Sequence, residues 1–326
     1  MELRAGVGVR SHPFVPEFAI AAGPAAERRR RRAITDAHPD VRALIGTNPW
    51  SALLAVAVVA AQLGTAAAVA RGPAWAIPIA AFAFGAFGAA AVNALIHEAC
   101  HALIFRTRRA NRAIALIANL GLVTWTAMPF FRYHARHHNA MGDYAMDVGI
   151  PTRAEAAWVG NDPLRKALWL AAFPYFQWRR VAKFRATERF WDGWMIANAA
   201  LQILVTAVLL LRCGPGAIAY LLLSQSLATG FHPLGTRVIQ EHVLIADGEE
   251  TNDYISWASP LELNFGYHAE HHDFPRVPWN RLPRVLAAAP EFYRTRPVVR
   301  SRIALMARFI LDPRCHLYRH AVRRAS

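Results

Sequence analysis

Apolar and polar positions in this chain fall into long blocks, not into the short alternation of a half-buried strand. The first apolar block runs from about Trp50 to Ala70, with Gln62 its only strongly polar residue, and Arg71-Gly72-Pro73 closes it. A second runs from Ala74 to Ile96, with Asn93 its only strongly polar residue. A third covers Trp194 to Leu211 and a fourth about Gly214 to Gly230, with Arg212-Cys213-Gly214-Pro215 between them. At roughly 1.5 Å rise per residue, a block of about 20 residues crosses a hydrocarbon core of about 30 Å. The pattern predicts an all-α integral membrane protein with four transmembrane helices arranged as two tight hairpins.

The polar remainder divides the chain further. Residues 1–49 form a basic N-terminal segment, 50–295 a membrane domain, and 296–326 a basic C-terminal tail. Arg28 to Arg32 is an unbroken arginine run, read as a solvated tail facing lipid head groups. The stretch from Asp36 to Gly46 reads as a short helix stopped by its glycine. Phe14 to Ala26 is mildly apolar, but Pro16, Glu17 and Pro24 break it and arginines follow it, so no cleavable signal is expected.

Composition fits the membrane class: 55% of the 326 residues are hydrophobic and 18% are charged. The formal net charge of +15 raises the question of nucleic acid. The arginines flank apolar blocks instead of lining one polar face, so no nucleic-acid partner is expected. The two hairpin loops carry only Arg71 and Arg212, whereas the tails and residues 106–112 and 132–189 are arginine-rich. The positive-inside rule then places both termini on the cytoplasmic side of a bacterial inner membrane or endoplasmic reticulum. Cys100, Cys213 and Cys315 form neither a disulfide framework nor a cysteine metal site.

Candidate chemistry lies in three short boxes: His97-Glu98-Ala99-Cys100-His101, His134-Ala135-Arg136-His137-His138 and His268-Ala269-Glu270-His271-His272. They hold eight of the chain's 14 histidines. On a helix, positions i and i+4 share a face, so His97 with His101, His134 with His138 and His268 with His272 are ligand pairs. His137 and His271 add i+3 partners, and each box is expected to present its imidazoles in one direction. One interfacial histidine is more often a satisfied polar residue; three boxes at ligand spacing point to metal. Eight imidazoles exceed the four ligands of a usual zinc site and suit two metals. His242, just past the fourth block, is a ninth candidate. His232 is about ten residues earlier, roughly 15 Å along a straight helix, and ranks below it. Glu98, Glu241, Glu270, Asp273, Asp143 and Asp147 are candidates to orient imidazole N–H groups, against the plainer reading of solvated charge.

The run Ala113 to Phe131 tests this picture. It is uncharged and long enough to span, but a crossing there would put the first two boxes on opposite membrane faces. It is expected to lie in the interface or to re-enter without crossing.

Two enzyme readings of the boxes remain, beside that of a membrane protein which binds metal without catalysis. His97 to His101 fits H-E-x-x-H, the zinc-protease signature with Glu98 as general base, which leaves the two H-x-x-H-H boxes unexplained. The other comes from resemblance. The three boxes, in order after a span pair, resemble those of the membrane fatty-acid desaturase and hydroxylase superfamily. Asn264-Phe265-Gly266-Tyr267 and Asp273-Phe274-Pro275 around the third box are similar to sphingolipid Δ4-desaturases. So are Asp147-Val148-Gly149-Ile150-Pro151-Thr152, Phe231-His232-Pro233, Glu241-His242 and Ala37-His38-Pro39-Asp40-Val41-Arg42-Ala43-Leu44. Thr236-Arg237 departs from the pattern, where a further histidine is usual, as does Arg136, where an acidic residue is common.

The resemblance implies a cytoplasmic, histidine-rich di-iron cap, two iron ions, O2 as co-substrate and an external electron donor of cytochrome b5 or ferredoxin type. The implied substrate is a membrane lipid of dihydroceramide type. An acyl-lipid desaturase or a sphingolipid C4-hydroxylase would use the same centre. Zinc has no redox chemistry, so dehydrogenating an unactivated chain favours iron. The second hairpin and Ala113 to Phe131 are candidate walls of a hydrocarbon groove.

Overall fold

The computed structural model describes residues 17–20, 24–185, 190–243 and 251–323, so part of the basic N-terminal segment lies outside the described residues. Strand β1 (Ala19–Ile20) precedes α1 (Pro24–Ala37), and a 3-10 turn (Pro39–Leu44) then leads to α2 (Trp50–Val69). The expected short helix is this 3-10 turn, and the chain changes direction at Gly46, whose φ is +158°. Helix α3 (Ala76–Ala80) runs through one π turn (Ala81–Gly85) into α4 (Ala86–Cys100), as one continuous rod. Helices α5 (Arg108–Asn119) and α6 (Ala127–Ala140) follow, then α7 (Arg153–Val159), α8 (Pro163–Ala171) and α9 (Phe173–Arg185). The second hairpin is α10 (Gly193–Cys213) and α11 (Pro215–Thr229).

Among the described residues, three helices are long and apolar enough to cross a membrane: Trp50–Val69, Ala76–Cys100 and Gly193–Cys213. The fourth apolar block forms α11, whose 15 residues make about 22 Å, short of a full hydrocarbon core. It packs against α2, α4 and α10. The closest approach is built on small residues and one polar node. Gln62 Nε2 donates to the carbonyl of Gly85, the last residue of the π turn (3.2 Å), and Tyr220 Oη donates to Gln62 Oε1 (3.0 Å). A Cβ on Gly88 would come within 2.5 Å of Gln62 Cδ, which is why glycine stands there.

The run 113–131 does not form one helix. It breaks between α5 and α6, and buried side chains satisfy the exposed backbone of the break. Asn119 Oδ1 accepts from Ala127 N (2.7 Å), and its Nδ2 donates to the Thr124 carbonyl (2.8 Å) and to Gln202 Oε1 (2.7 Å). Gln202 Nε2 donates to the Leu122 carbonyl (2.8 Å), and Asn198 Oδ1 accepts from Met128 N (3.0 Å). Irregular backbone at membrane depth survives only where protein supplies such partners. Asn198 and Gln202, inside the third apolar block, carry that signal.

The rest of the chain forms a helical cap. It continues through α12 (Arg237–Gln240), β2 (Asp253–Tyr254), α13 (His268–Asp273), α14 (Leu282–Ala288), β3 (Val298–Val299), α15 (Arg302–Leu311) and β4 (Ala321–Val322). Both strand pairs are parallel and join distant segments: β1 with β4, and β2 with β3. Thr152 and Glu155 form a capping box at the start of α7. Glu155 then receives Arg180 through Nε (3.0 Å) and Nη2 (2.5 Å), and Trp169 Nε1 (2.7 Å). Arg180 Nη1 also donates to the Gly149 carbonyl (2.7 Å), pinning the stretch after the second box.

The arginine run is not a wholly solvated tail. In α1, Arg28, Arg29, Arg31 and Arg32 are exposed, but Arg30 turns inward beside Ile34, which is fully buried. A period of 3.6 residues gives one inward arginine among outward ones. The C-terminal residues likewise pack into the cap, α15 against α8 and β4 against β1.

Candidate metal centre

Each box sits where a helix can aim it. His97 lies in the last turn of α4 and His101 at its C-cap. The second box occupies α6, whose first turn Asn119 and Asn198 anchor. The third box is α13 itself. A tight turn presents it, with Leu263 and Asn264 both at φ +50°. Asn tolerates that left-handed conformation, and the turn is tied by Asn264 N to the Ser259 carbonyl (2.8 Å). A Cβ on Gly266 would meet the Tyr254 carbonyl oxygen at 2.2 Å. The flanks of the third box therefore have a structural task, which is to set the start of α13.

The boxes converge on one group of five imidazoles and two smaller sets beside it. His97, His101, His134, His138 and His271 each bring one ring nitrogen within 4.8 Å of the others. His137, His242 and His272 form a second set at the same spacing, and Glu241, His242 and His268 a third that shares His242. The Nε2 atoms approach closely: His101 to His134 at 2.9 Å, His138 to His134 at 3.0 Å, His271 to His138 at 3.2 Å and His268 to His242 at 3.0 Å. All nine expected histidines are thus brought together. His232 is not. Its ring lies against Phe82 and Phe87, and its Nδ1 accepts from Leu234 N (3.1 Å).

The expectation that each box aims its histidines one way is corrected. His134 and His138 enter the first group while His137 enters the second; His271 enters the first while His272 enters the second, and His268 joins the third through His242. Consecutive helical residues diverge by about 100°, so the i+3 member of the second and third boxes turns away from its i+4 neighbour and enters a different group.

The imidazoles are held neutral. Burial first, then the neighbouring rings, pushes His134, His138, His268 and His272 well below the usual histidine range. Burial and then His137 bring His101 to about 4. Both ring nitrogens of His97, Nδ1 of His271 and Nε2 of His272 are buried with no hydrogen-bond partner. Neutral, converging and unpartnered imidazole nitrogens fit divalent metal ions.

His137 differs. Its burial opposes the charged form, but the Asp147 carboxylate more than offsets that, so its net shift is upward. Nδ1 of His137 donates to Asp147 Oδ1 at 3.0 Å, and the other carboxylate oxygen accepts from Gly142 N at 3.1 Å. Asp147 is thus the orienting acid among the six candidates. Asp273 turns instead to Arg30 and Tyr293, and Asp143 bonds the backbone of its own turn. Glu98 accepts from Trp279 N (3.2 Å), a poor position for the general base of a zinc protease. Glu241 lies at ligand distance, and Glu270 is fully buried with neither oxygen bonded. His320, beside the centre, was not legible in the sequence. It is buried 5.9 Å from the His242 ring, and burial brings it to about 4.

Residues 73–303, which include all nine histidines, match the family model described as fatty acid desaturase. The chain belongs to the fatty acid desaturase family. It is an oxidoreductase of the membrane desaturase type, and individual relatives sharpen the picture. It is 34% identical over 300 residues to the sphingolipid delta(4)-desaturase DES1 of Drosophila melanogaster, covering 90% of this chain and 92% of that one. A DES1-like sphingolipid delta(4)-desaturase of Oryza sativa is 34% identical over 284 residues, covering 87% and 85%. The human sphingolipid delta(4)-desaturase/C4-monooxygenase DES2 is 33% identical over 292 residues, covering 87% and 88%.

Proposed function

We propose that this desaturase-family enzyme introduces a double bond into the sphingoid chain of a dihydroceramide-type lipid, using two iron ions, O2 and electrons from a separate protein of cytochrome b5 or ferredoxin type. The observation that carries the reading is the set of adjacent groups built from nine histidines, one of five imidazoles and two more that share His242. The names of the relatives support the lipid class. His97, His101, His134, His138 and His271 would hold one iron; His137, His242, His268 and His272, with Glu241 beside them, the other. When bound, the irons supply the redox chemistry that couples reduction of O2 by two external electrons to removal of two hydrogens from an unactivated chain.

The chain's own residues do the rest. Burial keeps most of the imidazoles deprotonated and ready to ligate. Asp147 holds the His137 proton on Nδ1, which leaves Nε2 for metal. Phe130, stacked on His134 at 4.6 Å, and Phe265, 4.6 Å from the His97 ring, give the first group an apolar border that suits a hydrocarbon chain. The topology that serves this chemistry has four passes, with α11 completing the second hairpin. Its cap lies on the cytoplasmic face, where the arginine-rich segments gather. Residues 50–295 carry the site, and the two terminal segments support it.

Hydroxylation is the second reading, because the human relative's name includes a C4-monooxygenase. Lipid mass spectrometry on cells supplied with dihydroceramide separates the two. Loss of two hydrogens marks desaturation and gain of one oxygen marks hydroxylation. His271→Ala is expected to abolish either product. A fully active His271→Ala variant would refute the ligand assignment.

A further inference from the structure

We infer that the two chain ends form a clasp that holds the second histidine group, so that loosening the clasp releases one of two metals. The inference rests on the two-metal reading above. Four of the first group's five histidines are carried by long helices: His97 and His101 end the continuous Ala76–Cys100 rod, and His134 and His138 lie on the 14-residue α6, while the fifth, His271, sits on α13. The second group stands on short pieces. His242 follows the four-residue α12, and His268 and His272 sit on the six-residue α13. Helices this short do not hold themselves in place.

Contacts from both ends converge on those pieces. From the N-terminal side, Arg30 forms a bidentate pair with Asp273, Nε to Oδ2 at 2.7 Å and Nη2 to Oδ1 at 2.9 Å. Asp273 is next in sequence to His272 and is fully buried at its side chain. Tyr293 Oη adds a bond to the same Oδ2 at 3.0 Å. From the C-terminal side, Ala321 N donates to the His242 carbonyl (3.2 Å), and His320 bridges Val243 in antiparallel fashion. Arg323 N donates to the Gly142 carbonyl (2.8 Å), and Gly142 N donates to Asp147, the carboxylate that orients His137. The two ends also meet each other. β1 pairs with β4, and Arg323 approaches Glu27 at 3.8 Å. The clasp thus reaches His242 directly at its carbonyl, His272 through the adjacent Asp273, and His137 through Gly142 and Asp147. Its contacts named here do not reach His97, His101 or His134. Arg30, Ala321 and Arg323 act as positioning residues, since none belongs to the imidazole groups.

The test is metal stoichiometry in the purified full-length chain, read by elemental analysis and by the rate of iron release to an excess of a ferrous chelator. The wild type is expected to hold two irons. Arg30→Gln and Ala321→Pro, which removes the donor to His242, are expected to speed release of one iron on the order of 10-fold and leave the other unchanged. Combined, they should leave about one iron per chain. Arg30→Lys should restore part of the retention, and Arg31→Gln, on the exposed face of the same helix, should match wild type. If Arg30→Gln does not accumulate in membranes, Tyr293→Phe, which deletes a single bond to Asp273, carries the same comparison. Equal retention in wild type, Arg30→Gln and Ala321→Pro would overturn the clasp, as would loss of both irons in step. A wild-type chain that takes up fewer than two irons would overturn the two-metal reading itself.

Discussion

The Asp147 carboxylate accepts a 3.0 Å hydrogen bond from Nδ1 of His137, ten residues earlier in the chain. This bond makes His137 the one box histidine shifted toward its charged form.

A proton-release prediction follows from the sign of that shift. His137 is raised above the ordinary histidine value, so in the metal-free protein it holds its second proton more tightly than a free imidazole, and metal binding at Nε2 displaces whatever share of that proton is bound. Calorimetry of iron uptake in buffers of different ionisation enthalpy should detect proton release that grows as the pH is lowered from about 7 to about 6. Asp147→Asn should remove that release and weaken metal affinity by about 10- to 100-fold.

The same pair predicts a pH window for the metal-free fold. Asp147 is depressed below 3.8, so its share of stability is present above that value and is lost as pH falls through the lowered pKa. His137 is raised, so its share is complete below 6.5 and is lost as pH rises through the folded value. Thermal melts of the metal-free chain should show the Asp147→Asn penalty largest between about pH 4 and 6.5. A penalty that grows steadily above that window would contradict the pairing.

Breaking the buried Arg180–Glu155 pair should be costly. Arg180→Ala leaves Glu155 buried with its charge uncompensated and frees the Gly149 carbonyl. The expected loss is about 3 to 5 kcal/mol. Denaturation in detergent against wild type measures it, and a change under 1 kcal/mol would show the pair to be unimportant.

The break at 120–126 gives a third kind of test. Gln202→Leu removes the donor to the Leu122 carbonyl and the acceptor for Asn119. Two buried groups left unbonded should cost about 1 to 3 kcal/mol each. A cysteine placed at Thr124 should then react faster with a water-soluble maleimide. Unchanged labelling and unchanged melting would mean that Gln202 does not hold the bend.

Gly88→Ala should destabilise the membrane helices by about 1 to 3 kcal/mol, because the added carbon meets Gln62. Gln62→Leu should cost about 1 kcal/mol by stranding the Tyr220 hydroxyl and the Gly85 carbonyl. Thermal melts in lipid nanodiscs compare the two.

Much of this was legible from local pattern. Block length set the apolar helices at Trp50–Val69, Ala76–Cys100 and Gly193–Cys213, since span and rise per residue are fixed quantities. Helical spacing picked out the box histidines, and His242 before His232. The role of Arg30 escaped, because an arginine run looks the same whether one member is paired or none. His320 escaped too, because its neighbours in space, His242 and Asp147, are about 80 and 170 residues away in the chain.

The sequence alone determined which residues can serve as ligands, since i and i+4 share a face on any helix. Only the tertiary structure decided how they are shared. Within a box, His137 and His138 point about 100° apart, and nothing local says what stands in either direction. Packing α6 between α4 and α13 sends His138 to His97, His101 and His271, and His137 to His242 and His272. A pattern of spacings is a property of one helix, whereas a metal centre is a meeting of several.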